Sequence, residues 1–187
     1  MKNTKKKAMS TSEFNPQKED IVLLDTNILI RLFTPYNIGS YNNYDELWSK
    51  LIKGKSKLII SSIQISEFIN RCIRIEFDLY KKSKGLDKID YKKDYRSTQE
   101  YMDKMEDILE IVKEDISKNF SFIDDGFSKI NPENIFKQRF SYDFNDALIV
   151  EIAKQYNAIL VTDDGDYANY KLDLPVVTSN RILLSMR

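Results

Sequence analysis

The sequence predicts an α/β fold in three layers, with helices on both faces of a central, mostly parallel sheet. Two observations carry this expectation: short apolar runs recur along the chain, and amphipathic segments of helical period separate them. A third is the placement of acidic residues, which fall directly after an apolar run or just inside the following helix.

Composition narrows the chemistry. Hydrophobic residues make up 42% and charged residues 31% of 187 positions, a globular profile long enough for one domain with a sizeable core. Lysine plus arginine and aspartate plus glutamate both number 29, so any nucleic-acid contact needs a local basic surface. Histidine is absent, which removes imidazole acid–base catalysis, Ser–His and Cys–His nucleophiles and most transition-metal sites. The single cysteine, Cys72, excludes an internal disulfide and is expected as a buried, inert thiol. Carboxylates, amides and hydroxyls remain, and these suit hard cations such as Mg2+ or Mn2+. No apolar run reaches membrane-spanning length, and no apolar stretch follows the N-terminal lysines, so a cytoplasmic location is expected. Residues 1–19 read as a flexible N-terminal tail and residues 20–187 as a single domain.

Along the chain, Ile21 to Asp25 reads as a buried strand closed by its aspartate. A short helix follows through Phe33 to the break at Pro35, and another is expected around Asp45 to Ile52. Lys57 to Ile60 is a second strand. Ser61-Ser62 offers an N-cap for a long helix whose apolar face includes Ile65, Ile69, Cys72 and Leu79. Glycine and charge place a turn near Gly85. Beyond it Tyr91, Tyr95, Thr98, Met102, Met105, Leu109, Val112 and Ile116 alternate in spacings of four and three, a heptad seam. This predicts an extended helical pair over residues 62–118, packed antiparallel within the domain; a homodimer or partner-protein interface is the alternative. Phe120 to Ile123 is a third strand, Asn131-Pro132-Glu133 a helix start, and SYDFNDALIVEIAKQYN an amphipathic helix. Ala158 to Thr162 is a strand followed by the loop DDGDY, and Pro175 to Thr178 a last strand before a small helix.

In such a sheet, strand ends and helix starts share one edge, where ligands usually bind. Asp25 closes the first strand, Asp163 and Asp164 follow a later one, Asp146 lies in the first turn of the helix before it, and Glu67 is early in the long helix. Two carboxylates about 5 Å apart repel by roughly 3 kcal/mol at an effective dielectric of about 20. Four on one rim therefore point to a bound divalent ion rather than to a stabilising device. Singly, Asp25 is open to a helix-capping role and Glu67 to an ordinary helix surface. Asp143 fits an N-cap with Asp146 at the third helical position, so Asp146 is favoured as ligand and Asp143 is left between the two roles. Asp166 reads as a loop residue, while Asp163 and Asp164 compete.

VLLDTNILI, the SEF around Glu67 and DFNDALIVEIAKQYNAILVTDDGDY, in this order, resemble the PIN domain, including the VapC-type toxin nucleases. The resemblance covers about residues 20–180, most tightly Ile21 to Ile30 and Asp143 to Tyr167. It implies Asp25, Glu67, Asp146 and Asp164 as catalytic metal ligands, with Asp164 preferred over Asp163, and Asn27 and Thr162 as supporting residues. It further implies an endoribonuclease using Mg2+ or Mn2+, and a cognate antitoxin if the enzyme is a toxin. RNA also needs cations near the rim. Arg71 and Arg74 on the Glu67 helix, and Lys137 and Arg139 before Asp143, are the candidates, with Lys81, Lys82, Lys84, Lys92 and Lys93 clustered at the helical turn. Two other readings compete. A haloacid-dehalogenase-like phosphatase would need an acid where this chain has Asn27, and Asn cannot deliver a proton. A non-catalytic PIN-like RNA- or protein-binding module would not need all four acids.

Overall fold

The computed structural model describes residues 8–36, 43–136, 143–170 and 172–185. One sheet contains β1 (Ala8–Ser10), β2 (Ile21–Leu24), β3 (Lys57–Ser61), β4 (Ser121–Ile123), β5 (Ile159–Val161) and β6 (Val176–Thr178). Their order is β1-β6-β5-β2-β3-β4 and every pairing is parallel. From β2 the chain steps outward through β3 to β4, then returns to β5 on the other flank of β2. The direction of winding thus reverses at β2, and this is where parallel sheets open a crevice beyond their strand ends.

Helices cover both faces: α1 (Thr26–Phe33), α2 (Tyr44–Gly54), α3 (Ser62–Lys84), α4 (Gln99–Ile111), α5 (Ser117–Asn119), α6 (Pro132–Phe136), α7 (Phe144–Gln155) and α8 (Arg181–Ser185). The two-residue period of the strands divides the core. Val22, Leu24, Leu58, Ile60 and Val161 pack with α1, α2, α3 and α4, whereas Leu23, Ile59, Leu160 and Val176 pack with α6, α7 and α8. The three layers expected from the sequence are present.

Two expectations need correction. Residues 8–19 are not a free tail: β1 pairs with β6, Phe14 is buried in the core, and Thr11 Oγ1 lies 3.0 Å from Ser179 Oγ. The segment Ala8-Met9-Ser10 carries no β-branched residue, so its strand character comes from the sheet edge it completes rather than from propensity. Residues 1–7 lie outside the described residues.

The helical pair is an intradomain hairpin, α4 against α3, with aromatic contacts from Tyr95 to Phe77 and Tyr80. Its buried face follows the heptad line only in part: Tyr95 and Ile116 are buried and Tyr91, Met105 and Val112 pack on the core, but Met102 and Leu109 are 53% and 48% exposed while Ile108 is buried. Thr98 caps α4, and π-helical turns at Tyr91–Tyr95 and Val112–Ile116 each shift the phase of the following residues. On α3 the buried face is Phe68, Cys72 and Ile73; Leu79, expected on it, is 47% exposed. Cys72 is buried as expected, and burial pushes its thiol up to about 12.

Candidate active site

Asp25 stands one residue past β2, where its N–H still donates to the Val161 carbonyl across the ladder (2.9 Å). Its carboxylate is 4% exposed and divided between two partners. Oδ1 accepts the Thr26 N–H at 2.7 Å, capping α1, and Oδ2 accepts the Thr162 hydroxyl at 2.7 Å from the end of β5. Burial pushes this carboxyl up to about 6 against those two hydrogen bonds, with the charges of Glu67 and Asp164 adding to the rise. The capping and site readings of Asp25 are both occupied, by different oxygens.

Glu67 reaches the same place through Gln64. Gln64 is fully buried; its Oε1 accepts the Ser61 N–H at 3.0 Å and its Nε2 donates to the Leu24 carbonyl, tying the first turn of α3 to the end of β2. Three residues on, Glu67 Oε2 accepts from Thr26 Oγ1 (3.2 Å) and Asn145 Nδ2 (3.4 Å), and its Oε1 lies 3.5 Å from Arg71 Nη1. Asp146 sits in the first turn of α7. Burial, then the charges of Asp25, Asp164, Asp143 and Glu67, push its carboxyl up to about 8. Asp164 follows β5; its N–H donates to Thr162 Oγ1 (3.0 Å) and its carboxylate accepts the Asp166 N–H (2.9 Å). One threonine thus orients two of the acids.

The four acids predicted from the sequence share one neighbourhood at the strand ends. Among the described residues no three acidic side chains form a ready coordination shell. The carboxylates are instead engaged by Thr26, Thr162, Asn145, Arg71 and the Asp166 N–H. The donor set fits a hard divalent ion in kind, all oxygen and mostly carboxylate. Asn27 Oδ1, two residues beyond Asp25 in sequence, and the Tyr167 hydroxyl are buried and have no hydrogen-bond partner among the described residues. Tyr167 is wholly buried, and after burial the charges of Asp25, Asp146 and Glu67 push its phenol well above the usual range.

The remaining predicted residues separate. Asp143 is exposed and caps α7 by accepting the Asn145 N–H at 2.8 Å, which is the capping alternative. Asp163 turns away, accepting the Tyr44 hydroxyl at 2.9 Å and lying 3.7 Å from Arg31 Nη1. Arg71 stands beside Glu67, whereas Arg74 lies over the Tyr91 ring at 3.8 Å. Lys137 and Arg139 lie outside the described residues. Sequence reasoning missed Gln64, Asn145 and Tyr167. Gln64 was signalled by its position three residues after Ser61, the capping-box spacing; Asn145 and Tyr167 carry no signal beyond adjacency to the acidic motifs.

A parallel sheet with a part-buried acidic cluster at its winding reversal defines the class. The PIN domain family model matches residues 22–172, and the chain belongs to that family, whose members are generally nucleases. Among solved structures it is similar to VapBC2 from Rickettsia felis bound to a DNA fragment from their promoter. The TM-score is 0.51 at 20% identity, covering 86% of this chain and 99% of that one. At this identity the fold is what the two share. Comparison with curated proteins returns no match.

Proposed function

We propose that the chain is a divalent-metal-dependent endoribonuclease whose reaction centre is Asp25, Glu67, Asp146 and Asp164. The observation that supports it most is the gathering of four carboxylates from separate chain segments, two of them buried enough to be pushed up to about 6 and about 8. Stability alone gives no reason to collect them. A divalent ion such as Mg2+ or Mn2+ held by these acids would supply positive charge that acidifies water and offsets the charge of a phosphodiester under attack. The chain's own residues prepare the place. Thr162 fixes Asp25 and Asp164 relative to each other, Thr26 and Asn145 hold Glu67, and Asn27, two residues beyond Asp25, would supply a neutral oxygen. Burial and the neighbouring acids favour the protonated form of Asp146, and a cation held there would draw that proton off. Arg71, beside Glu67, is placed to meet an RNA phosphate.

The test is cleavage of end-labelled RNA by the full chain with Mn2+ and with chelator. Wild type should cut only with metal, and Asp25→Asn should lose detectable cleavage while keeping its circular dichroism spectrum. Thr162→Val should lose about 10- to 100-fold, the usual cost of a supporting contact. Unchanged cleavage by Asp25→Asn would refute the assignment; RNA binding without cleavage in wild type would leave a binding module instead. The fold shared with VapBC2 motivates a further reading, a cytoplasmic toxin held by a cognate antitoxin. Growth arrest on expression, relieved by the product of the adjoining reading frame, is the result this reading expects.

A further inference from the structure

A groove of about 670 Å3 runs along α3 beside the Pro35–Tyr36 segment. We propose that it is a subsite for a nucleotide of single-stranded RNA next to the phosphate that is cut. This rests on the endoribonuclease reading, and the groove's own chemistry supports it in three ways.

The first is continuity with the acidic cluster. Arg71 lines the groove and also lies 3.5 Å from Glu67, so one side chain borders both the groove and the acidic cluster. Glu67, Arg71, Arg74 and Asp78 follow one another at spacings of four and three along one face of α3. The helical rise places Arg71 about 6 Å and Arg74 about 10 Å beyond Glu67 along the axis. The second is charge with flatness. The Arg74 guanidinium lies 3.8 Å over the Tyr91 ring and lines the groove, a prearranged cationic plane of the kind on which unpaired bases stack. The negative lining residue, Asp78, is offset by Lys81 Nζ at 3.2 Å. The third is the floor. Ile75, Leu79 and Pro35 are apolar, and the Tyr36 ring is held by its hydroxyl, which donates to Glu76 at 2.6 Å. The volume falls within the roughly 300–1,000 Å3 of small-ligand sites. A helix from a protein partner would call for a longer apolar strip than these few side chains, interrupted as they are by two guanidinium groups.

The experiment is fluorescence anisotropy of a labelled single-stranded RNA oligonucleotide with the full chain, in chelator so that nothing is cut. Leu79 is half exposed, so changing it removes no core packing. Leu79→Glu and Arg74→Ala should each weaken binding about tenfold, and Leu79→Lys should bind at least as well as wild type. Equal affinity across wild type, Leu79→Glu and Leu79→Lys, with matching thermal unfolding, would overturn the proposal. So would undiminished RNA affinity in variants that lose a protein partner, which would assign the groove to that partner. Asp25→Asn separates the two readings, because its cleavage in Mn2+ is read apart from the groove variants' binding in chelator. If it cuts like wild type in Mn2+, the acidic-centre assignment fails while the groove result stands.

Discussion

Asp25 and Asp146 carry the same functional group, yet their surroundings differ in what they ask of it. Asp25 is buried among partners that favour its charged form, Thr162 and Thr26; Asp146 is pushed higher by burial and by four neighbouring acids. Both values lie above the ordinary 3.8, so the folded chain binds these protons more tightly than the unfolded chain does. That stabilising contribution is complete below the unfolded value and is lost as pH rises through about 6 for Asp25 and about 8 for Asp146. Metal-free protein should accordingly melt at a lower temperature at about pH 8.5 than at about pH 6, and Asp146→Asn should flatten the upper part of that slope. Thermal unfolding by circular dichroism across this range reads it directly; a wild-type melting point rising towards alkaline pH would show that Asp146 is not destabilised by its neighbours. Which residues join the cluster was legible in the sequence, because each acid sits at a strand end or a helix start. What was not legible is how they are held. Asp163 and Asp164 are adjacent and chemically identical in sequence, and only the fold shows one turned to Tyr44 and Arg31 and the other to Thr162.

At the scale of elements, strands and caps were readable because their signals are local. Ser61 as the residue before α3, the turn at Gly85 and the apolar runs of β2, β3 and β5 all follow from a few neighbouring side chains. The burial face of the second hairpin helix was readable only in part, at Tyr95, Met105, Val112 and Ile116, because a period is readable only where the helix is continuous. The π-helical turn at Tyr91–Tyr95 and the break at the Thr98 cap displace the register before α4, so Ile108 rather than Leu109 enters the core. The turn itself gives a prediction. Gly85 ends α3 with φ +64, and a Cβ there would meet no atom within 4 Å, so its cost is conformational alone. Gly85→Ala should lower stability by about 1 kcal/mol in denaturant unfolding and leave RNA cleavage unchanged. A loss of cleavage at equal folded fraction would mean the hairpin turn takes part in the reaction.

Over the whole molecule, the parallel order β1-β6-β5-β2-β3-β4 is what turns scattered acids into a cluster. β2 lies between β3 and β5, so the first acid stands between the segments that carry the others, and α7 delivers Asp146 from the chain just before β5. The N-terminal edge strand shows the limit of local reading: a sequence too polar to announce itself is ordered by the edge of β6. A cation is what would let the acids at the strand ends tolerate one another. Isothermal calorimetry of Mn2+ binding at pH 7 in buffers of different ionisation enthalpy tests it most directly. Specific binding with proton release is expected, because the raised Asp146 carboxyl would give up its proton to the ion, and Asp146→Asn should lose both binding and release. No saturable binding by wild type, or binding that survives Asp146→Asn undiminished, would contradict it.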